Sequence, residues 1–314
     1  MGMSDQSDPT AWRPGPAQME RSACPLCAGT QFELLADTDR YDMGLVTVGC
    51  VGCGLVMTNP QPTAAALDEF YGRHYRQYYE GVDAPTEAYI QAKGKDRRST
   101  ATVSFLKSQG LVAPGSTVLD IGASEGCLLK AVADAEPTTR RLAVEPNASF
   151  APFAATHAGC AVYPSLEALA ASGSGAVDLI TLTHVFEHVK QPVAFLASLG
   201  ELLAADGRVY IDVPDVTRYR KLSSLHIAHL YHFGPDTLRR TAACAGFAVE
   251  LLEPHDPIKH PVSLRCILRR AQMEAAPLAN LEEGWEAVRQ ANRQAWRAHP
   301  GRWSLGRRLA RLFG

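Results

Sequence analysis

The residues with the most distinctive chemistry are four cysteines arranged as two Cys-x-x-Cys pairs. Each pair lets two thiolates reach one ion, and two pairs at this separation complete a tetrahedron, which is the pattern of a structural zinc site. Four sulfur ligands leave no open coordination position, so the predicted role of the ion is to hold a small module together. The predicted ligands are Cys24, Cys27, Cys50 and Cys53.

A redox-active dithiol pair, a ligand set without its metal and an iron–sulfur cluster are alternative interpretations of these cysteines. A nucleic-acid-binding ribbon is a further alternative. However, Arg40 is the one basic residue between Cys24 and Cys53, and a phosphate-binding surface needs several. We expect the other cysteines to be small core residues. They are Cys127, Cys160, Cys244 and Cys266.

The segment VLDIGASEG, residues 118–126, is the second place where residue types indicate a ligand site. An apolar run leads into an aspartate and two glycines, and glycines at the carboxyl end of a parallel strand let the backbone approach a ligand closely. The next predicted strand ends at Glu145, about twenty residues further on, where a carboxylate is placed to accept both hydroxyls of a ribose. A tight turn without a ligand and an NAD site are the alternatives.

The pattern of this loop favours S-adenosylmethionine over NAD as the ligand. It reads D-x-G-x-x-x-G, whereas dinucleotide-binding loops read G-x-G-x-x-G. The carboxylate of Asp120 would repel a pyrophosphate. S-adenosylmethionine has no phosphate, and its amino acid end carries a positive charge that the carboxylate attracts. We therefore predict S-adenosylmethionine as the cofactor.

Histidines form two groups after the predicted fourth and fifth strands. Glu187 and His188 follow the fourth strand, and His226, His229 and His232 follow the fifth in the run HIAHLYHF. Because imidazole titrates near neutral pH, either group can supply a base that takes a proton from a nucleophile. A structural hydrogen bond is the alternative for the first group. A metal site is an alternative for the second, but its spacing includes no nearby carboxylate.

The elements that position these residues follow from short apolar runs that alternate with helical segments after residue 115, which is typical of a parallel α/β sheet. The predicted strands are 117–121, 141–144, 161–163, 177–182, 208–213, 247–253 and 262–269. The predicted helices are about 86–109, 125–134, 149–158, 165–172, 190–204 and 235–245. A turn at Asp206-Gly207 is expected to follow the helix before the fifth strand. Aromatic residues at helical spacing between Phe70 and Tyr79 predict another helix near the N-terminus.

Composition limits the class of protein. The 314 residues are 46% hydrophobic with a formal net charge of −2, which is ordinary for a globular protein and disfavours nucleic-acid binding. No apolar run approaches ~20 residues, so we expect no transmembrane helix. The polar N-terminus lacks the features of a signal peptide, and we therefore expect a cytoplasmic protein.

The last part of the chain is basic. From residue 287 onward it has seven arginines and no acidic residue, with tryptophans interleaved. We expect a helix packed on the domain with a solvated basic face. The alternative is an amphipathic element that contacts an anionic membrane surface or a partner.

Four runs of sequence, in order and spacing, resemble the class I S-adenosylmethionine-dependent methyltransferases over about residues 100–270. They are VLDIGASEG, AVEPN, VDLITLTHVFEHV and LLAADGRVYIDVP. The resemblance implies an α/β fold with a Rossmann-like seven-stranded methyltransferase sheet. It also implies that the glycine loop holds the methionine part of the cofactor and that the acid after the second strand holds the ribose. The implied cofactor-binding residues are Asp120, Gly122, Ala123, Gly126, Glu145, Ser165, Leu166 and His184.

Together with the cysteine module and a tyrosine-rich helix, this core resembles the zinc-binding sugar methyltransferases. These include nucleotide-deoxysugar C-methyltransferases and relatives found with surface-polysaccharide synthesis. The resemblance implies that the zinc module packs near the active site and that an aromatic segment covers the cofactor or substrate, with simple packing between modules as the alternative. The residues expected to contact the substrate are Tyr71, Tyr75, Tyr79, Glu187 and Tyr231.

The sequence departs from the sugar C-methyltransferases at the expected base. Those enzymes carry a Glu-His pair there, whereas this chain reads Ala228-His229, and residue 314 ends the chain without their large C-terminal domain. We therefore expect O-methylation of a nucleotide-sugar or glycan hydroxyl, with His229 as general base supported by His232 or His188. The alternatives are a sugar C-methyltransferase, a zinc-ribbon scaffold with a non-catalytic core, and an RNA or protein methyltransferase.

These observations predict five parts of the chain. In order, they are a flexible leader (1–20), a zinc-ribbon-like module (21–62), a helical connector or lid (63–110), the cofactor-binding core (111–272) and a basic helical tail (273–314).

Overall fold

The computed structural model describes residues 12–41, 43–219, 224–258 and 262–271. Their strands form a seven-stranded sheet, a four-stranded sheet and a two-stranded ribbon. The strands are β1 (Met19–Glu20), β2 (Phe32–Ala36), β3 (Thr47–Cys50), β4 (Val56–Thr58), β5 (Gln61–Pro62), β6 (Thr117–Ile121), β7 (Arg140–Val144), β8 (Ala161–Tyr163), β9 (Val177–Thr183), β10 (Leu203–Pro214), β11 (Tyr231–His232), β12 (Phe247–His255) and β13 (Ser263–Arg270).

Helices cover the large sheet and form the segment that precedes it. They are α1 (Ala64–Glu69), α2 (Tyr75–Tyr79), α3 (Glu87–Lys93), α4 (Lys95–Ser108), α5 (Cys127–Ala135), α6 (Ala151–Ala158), α7 (Leu166–Ala171), α8 (Pro192–Leu202) and α9 (Pro235–Cys244). A π-helical turn, Phe70–His74, joins α1 to α2, and short 3₁₀ helices lie at Phe186–His188 and Val216–Arg218. None of the helices in the described ranges is long and apolar enough to cross a membrane.

The large sheet has the order β12-β13-β10-β9-β6-β7-β8, and this confirms the predicted Rossmann-like seven-stranded architecture. The five strands from β10 to β8 run parallel, and β13 is antiparallel to both of its neighbours. The interior of the sheet is apolar, as expected for strands covered on both faces. The carboxyl ends of β6, β7 and β9 therefore meet at one edge, which is where such sheets bind ligands.

Two predicted elements differ from the structure. The helix expected at 86–109 is two helices, because Gly94 adopts φ +62°, a left-handed conformation that ends a helix. The expected turn at Asp206-Gly207 lies inside β10, which begins directly after α8 and carries a register irregularity between Leu203 and Arg208. A side chain at Gly207 would place its Cβ 2.9 Å from the Val177 carbonyl oxygen, so the close approach of β9 requires glycine there.

The small sheet joins the cysteine module to the core. Its order is β11-β4-β3-β2, and β11 pairs antiparallel with β4 so that Tyr231 lies opposite Met57 and His232 opposite Val56. Met57 also packs in the same buried cluster as Leu182 of the large sheet. The module predicted for residues 21–62 is thus completed by a strand from the segment after β10.

Residues 12–20, the described part of the predicted leader, pack against the segment that follows the cysteine module. The Trp12 ring lies 5.2 Å from the Phe70 ring, and the Trp12 carbonyl accepts a hydrogen bond from the Tyr78 hydroxyl at 2.7 Å. Met19–Glu20 pairs with Gln61–Pro62. These contacts tie the segment to the aromatic helices. The predicted basic tail, residues 273–314, lies outside the described residues.

Candidate active site and metal site

The four predicted metal ligands converge on one point. The Sγ atoms of Cys24 and Cys53 are 3.4 Å apart, those of Cys27 and Cys50 are 3.5 Å apart, and all four lie within 4.8 Å of one another. Sulfurs bound to one tetrahedral zinc ion at about 2.3 Å are about 3.8 Å apart, so small shifts accommodate an ion. Hydrogen bonds from Cys24 and Cys53 lower the pKa of the Cys50 thiol.

The glycine loop has the close packing that its sequence predicts. Gly122 and Gly126 have φ +71° and +82°. A Cβ on Gly122 would lie 2.6 Å from Val185 Cγ2, and one on Gly126 would lie 3.1 Å from the Ala154 Cα. Both positions therefore need glycine for conformation and for space. Ala123 lies buried between them.

Asp120 ends up buried at the carboxyl end of β6. It is 4% exposed, and its Oδ1 accepts a hydrogen bond from Thr181 Oγ1 at 2.7 Å. Burial raises the pKa of Asp120 to about 7, and the hydrogen bond from Thr181 opposes this shift. A carboxyl group in this state gains from a nearby cation, because the cation favours its charged form.

Glu145 is held as an acceptor at the end of β7. Its Oε2 accepts a hydrogen bond from the Ser124 amide at 2.7 Å, and its Oε1 accepts one from the Asn147 amide at 2.9 Å. These bonds fix the carboxylate beside the glycine loop. Its side chain is 3% exposed and also forms an ion pair with Arg76, whose Nη2 is 3.1 Å from Oε1.

Arg76 is a site residue that the sequence did not reveal. It lies on α2, donates from Nη1 to Ser124 Oγ at 2.9 Å, and places its guanidinium 3.8 Å from the centre of the Phe150 ring. The helix thereby covers the glycine loop. Its Arg76 side chain is paired with Glu145, the carboxylate expected to bind the ribose. No sequence signal identifies this residue, because the burial of Glu125 and Glu145, which calls for cationic partners, is a property of the folded chain.

Lys95 supplies the cationic partner of Glu125. Its ammonium group lies 2.9 Å from Glu125 Oε2 and 3.1 Å from Glu80 Oε1. Glu80 directly follows α2, and Lys95 begins α4. The segment that carries the tyrosines is therefore tied to the glycine loop at two points.

The other cofactor candidates lie along the same edge. Ser165 caps α7 by accepting a hydrogen bond from the Ala168 amide at 3.3 Å, and Leu166 begins that helix. His184 follows β9 with φ +54°, and its amide donates to the Asp212 carbonyl at 2.8 Å. The backbone at His184 thus turns sharply and carries Val185 onto Gly122.

Three of the four predicted substrate-binding tyrosines line up against the histidines. The Tyr71 hydroxyl is 2.9 Å from His188 Nδ1, and the Tyr79 hydroxyl is 2.9 Å from His226 Nδ1. The Tyr75 ring lies between them, with centroid distances of 5.1 Å to Tyr71 and 4.8 Å to Tyr79. Burial raises the pKa of all three phenols, so they act as neutral hydrogen-bonding groups.

The fourth predicted substrate-binding tyrosine, Tyr231, lies apart from the other three. Its side chain lies in the hydrophobic core with 2% exposed, and its hydroxyl donates to the Lys190 carbonyl at 2.8 Å. Tyr231 and His232 are consecutive in a strand, so their side chains point to opposite faces. The histidine faces the site and the tyrosine faces the core.

The two predicted histidine groups form one buried cluster. The His229 ring centroid lies 3.7 Å from that of His226, 5.2 Å from that of His188 and 5.8 Å from that of His232. Burial lowers the pKa of His188 and His232, the latter to about 3, and burial with neighbouring imidazoles lowers that of His226 and His229 further below the usual value. The rings are therefore neutral near pH 7.

The expectation that no carboxylate lies near these histidines is wrong. Glu187 Oε1 is 3.7 Å from His229 Nε2 and 3.8 Å from His188 Nε2. A backbone hydrogen bond brings Glu187 close to His229, because the Leu230 amide donates to the Glu187 carbonyl at 3.0 Å. Spacing along the sequence could not show this, since the two segments come from different loops at the sheet edge.

Comparison with known proteins assigns the fold to a family. A family model described as a methyltransferase domain matches residues 91–252, just over half of the chain. The chain therefore belongs to this methyltransferase family. No curated protein matches the chain.

Solved structures of methyltransferases resemble it at low identity. Magnesium protoporphyrin IX methyltransferase from Synechocystis PCC 6803 with bound SAH has a TM-score of 0.49 and 16% identity, covering 67% of this chain and 100% of that one. The mitomycin 7-O-methyltransferase MmcR has a TM-score of 0.43 and 20% identity, covering 50% of this chain and 49% of its own. The chain thus spans about half of the length of MmcR.

Proposed function

We propose that the enzyme transfers a methyl group from S-adenosylmethionine to a hydroxyl group of a nucleotide sugar or glycan. The observation that carries this proposal is the position of the buried histidine cluster. Val185 packs on Gly122 of the glycine loop, and Glu187 and His188 follow within three residues. A base in this cluster lies beside the cofactor loop, where methyl transfer has to take place.

For the cofactor, we propose that Asp120 attracts the amino group and that Glu145 accepts hydrogen bonds from the ribose. The raised pKa of Asp120 means that a cation is favourable beside it. The ribose needs the Oε1 atom of Glu145, which pairs with Arg76. The Arg76 side chain therefore has to move away from this oxygen when the cofactor binds. Ser165 and Leu166 then border the adenine.

The reaction needs one proton acceptor. The hydroxyl oxygen attacks the methyl carbon in line with the breaking bond to sulfur, S-adenosylhomocysteine leaves, and the hydroxyl proton passes to the base. In the arrangement that the structure shows, His229 suits this role. Its Nδ1 is buried and has no hydrogen-bond partner among the described residues, so this nitrogen is open to accept a proton. His232 and His188 support it.

The surroundings of the cluster support a polyhydroxylated acceptor. Tyrosine hydroxyls and imidazole nitrogens alternate along it, through the pairs Tyr71–His188, Tyr79–His226 and Tyr219–His232. Such groups both donate and accept hydrogen bonds, which suits the many hydroxyls of a sugar. The flat faces of the tyrosine rings offer apolar area beside these polar atoms.

We also propose that the four cysteines hold a structural zinc ion. The donor set is closed, so the ion stabilises and does not react. Its influence on the site is indirect. Thr58 at the end of β4 donates from Oγ1 to the His229 carbonyl at 3.1 Å, and its amide donates to the Leu230 carbonyl at 3.0 Å. The module thereby holds the loop that carries the proposed base.

C-methylation of a sugar is a second candidate, favoured by one observation. The glutamate missing from the sequence position before His229 is replaced in space by Glu187, 3.7 Å away. A carbon acid also needs a base of this kind.

Incubation with methyl-labelled S-adenosylmethionine and panels of nucleotide sugars and glycans tests the proposal. We expect a product heavier by one methyl group, whose proton spectrum shows an O-methyl signal, and no product with Glu145→Ala. Glu250→Ala, a surface acid paired with Arg208, is the matched control. A C-methyl signal would select the second candidate, and methylation of RNA or protein in place of any sugar would overturn both.

A further inference from the structure

Glu187 is a buried carboxylate beside three imidazoles, and the shortest of these contacts is the 3.4 Å between its Oε1 and His184 Nδ1. It is 1% exposed, and neither of its oxygens has a hydrogen-bond partner among the described residues. A buried ionised group is normally paired, hydrogen-bonded or bound to a metal, because desolvation is otherwise costly. Here the groups that surround it are imidazoles.

The distances in this cluster fit coordination better than hydrogen bonding. Glu187 Oε1 is 3.7 Å from His229 Nε2 and 3.8 Å from His188 Nε2, which is too long for a hydrogen bond. Ligands of a tetrahedral ion at about 2.1 Å are about 3.4 Å apart. One ligand atom from each residue lies within 4.8 Å of the others, so modest side-chain adjustments would bring the three groups to one ion.

The ligand atoms are also oriented from outside the cluster. The Tyr71 hydroxyl binds His188 at Nδ1, which leaves Nε2 directed at Glu187. The His229 carbonyl is held by Thr58, and the Leu230 amide is held by the Glu187 carbonyl. Metal-binding histidines are typically positioned by such a bond at the other ring nitrogen and by a fixed backbone.

We propose that Glu187, His188 and His229 bind a divalent transition-metal ion, with zinc as the first choice, at a site separate from the four cysteines. Two imidazoles and one carboxylate are a ligand set of metal centres that keep open positions for a substrate.

This metal site adds detail to the proposed function. The three protein ligands do not depend on that proposal, but a sugar hydroxyl as a further ligand of the ion does. A sugar hydroxyl bound there would lose its proton more easily, because the ion stabilises the alkoxide, and the proton would pass to His232, whose Nε2 has no hydrogen-bond partner among the described residues. His229 would then be a ligand and could not serve as the base. Metal content therefore decides between two ways of activating the same hydroxyl.

Cobalt loading of the full-length protein separates the two sites. Cobalt bound by cysteine thiolates gives intense charge-transfer absorption in the near ultraviolet, whereas cobalt bound by imidazole and carboxylate gives only weak visible bands. We expect about two metal ions per chain by mass spectrometry of the dialysed protein. His229→Ala and Glu187→Gln should each lose about one ion and keep the thiolate absorption, which also reports that the fold is intact.

Two controls and two outcomes complete the test. Cys50→Ser should lose the thiolate absorption, and His74→Gln, a lid histidine outside the cluster, should keep both ions. About one ion per chain in the wild type, with no second binding event on titration with zinc or cobalt, would overturn the metal site and leave His229 as the base. Two ions without methyl transfer to any sugar would keep the metal site and overturn the proposed function.

Discussion

The cysteine cluster and the histidine cluster are both candidate metal sites, but they are built in opposite ways. The cysteines lie within one stretch of the chain, and two short turns bring the thiols together. The histidine cluster draws Glu187 and His229 from separate loops and is held by Thr58 of the small sheet. A site built from one stretch of chain can be recognised from the spacing of its residues. A site assembled from distant segments depends on the fold. Because Thr58 of the small sheet holds His229, the histidine cluster also depends on the cysteine module.

Loss of the zinc ion should produce the largest effect, because it tests that dependence directly. In Cys50→Ser we expect the module to lose its ion and the activity to fall about 100-fold, since structural zinc supplies much of the folding energy of such modules. Methyl transfer and zinc content are measured together. Cys160→Ser is the control. Full activity in the zinc-free variant would show that the histidine cluster does not depend on the cysteine cluster, and would contradict this prediction.

Removal of the proposed base or ligand should act on the chemical step alone. For His229→Ala we expect kcat to fall about 10²- to 10⁴-fold, the range for loss of proton transfer, while the dissociation constant for S-adenosylmethionine stays the same. Steady-state kinetics and calorimetry give the two values. A matched change at His74, in the lid but outside the cluster, should leave kcat unchanged. Equal loss in both variants would contradict an assembled catalytic site.

Cofactor affinity should depend on pH through Asp120. Because burial raises its pKa to about 7, the carboxyl group becomes protonated as the pH falls below that value and loses its attraction for the cationic amino group. We expect the dissociation constant to rise about tenfold per pH unit below pH 7, and to stay nearly flat above it. Calorimetric titrations between pH 6 and 8 measure this. Asp120→Asn should bind weakly with no such slope.

Arg76 should have the smallest effect, and with the opposite sign. Its guanidinium competes with the ribose for Glu145 Oε1, so Arg76→Ala should tighten cofactor binding about three- to tenfold, equivalent to about 1 kcal/mol. Arg73→Ala, on the exposed side of the same segment, serves as the control. Weaker binding in Arg76→Ala would mean that the guanidinium contacts the cofactor instead of competing with it.

Much of the fold followed from local patterns in the sequence. The strand Thr117–Ile121 and the strand Ala161–Tyr163 have the predicted bounds, because apolar runs between helices are read directly from periodicity. The break at Gly94 was missed, since glycine inside a helical pattern does not by itself reveal a left-handed conformation. The packed segment from Trp12 was missed because its partners lie in the aromatic helices.

The candidate site was less accessible to sequence reasoning, for a related reason. The position of Glu145 follows from a fixed distance after the glycine loop, and the structure places it there. The meeting of Glu187 with His229, and that of Arg76 with Glu145, depend on how distant segments pack at the sheet edge. The position of Tyr231 in the hydrophobic core could not be predicted, because a strand of two residues shows no alternation pattern.

The pairing of β11 with β4 has a consequence for how the chain folds. The four cysteines of the proposed zinc site all precede residue 54. They can therefore bind an ion early in synthesis, when N-terminal parts of a chain fold first. The strand that completes the small sheet comes far later, and the bond from Thr58 to His229 spans 171 residues. Until then β4 presents an unpaired edge, which is a template for pairing with another chain. Self-association during folding should therefore concentrate at this edge.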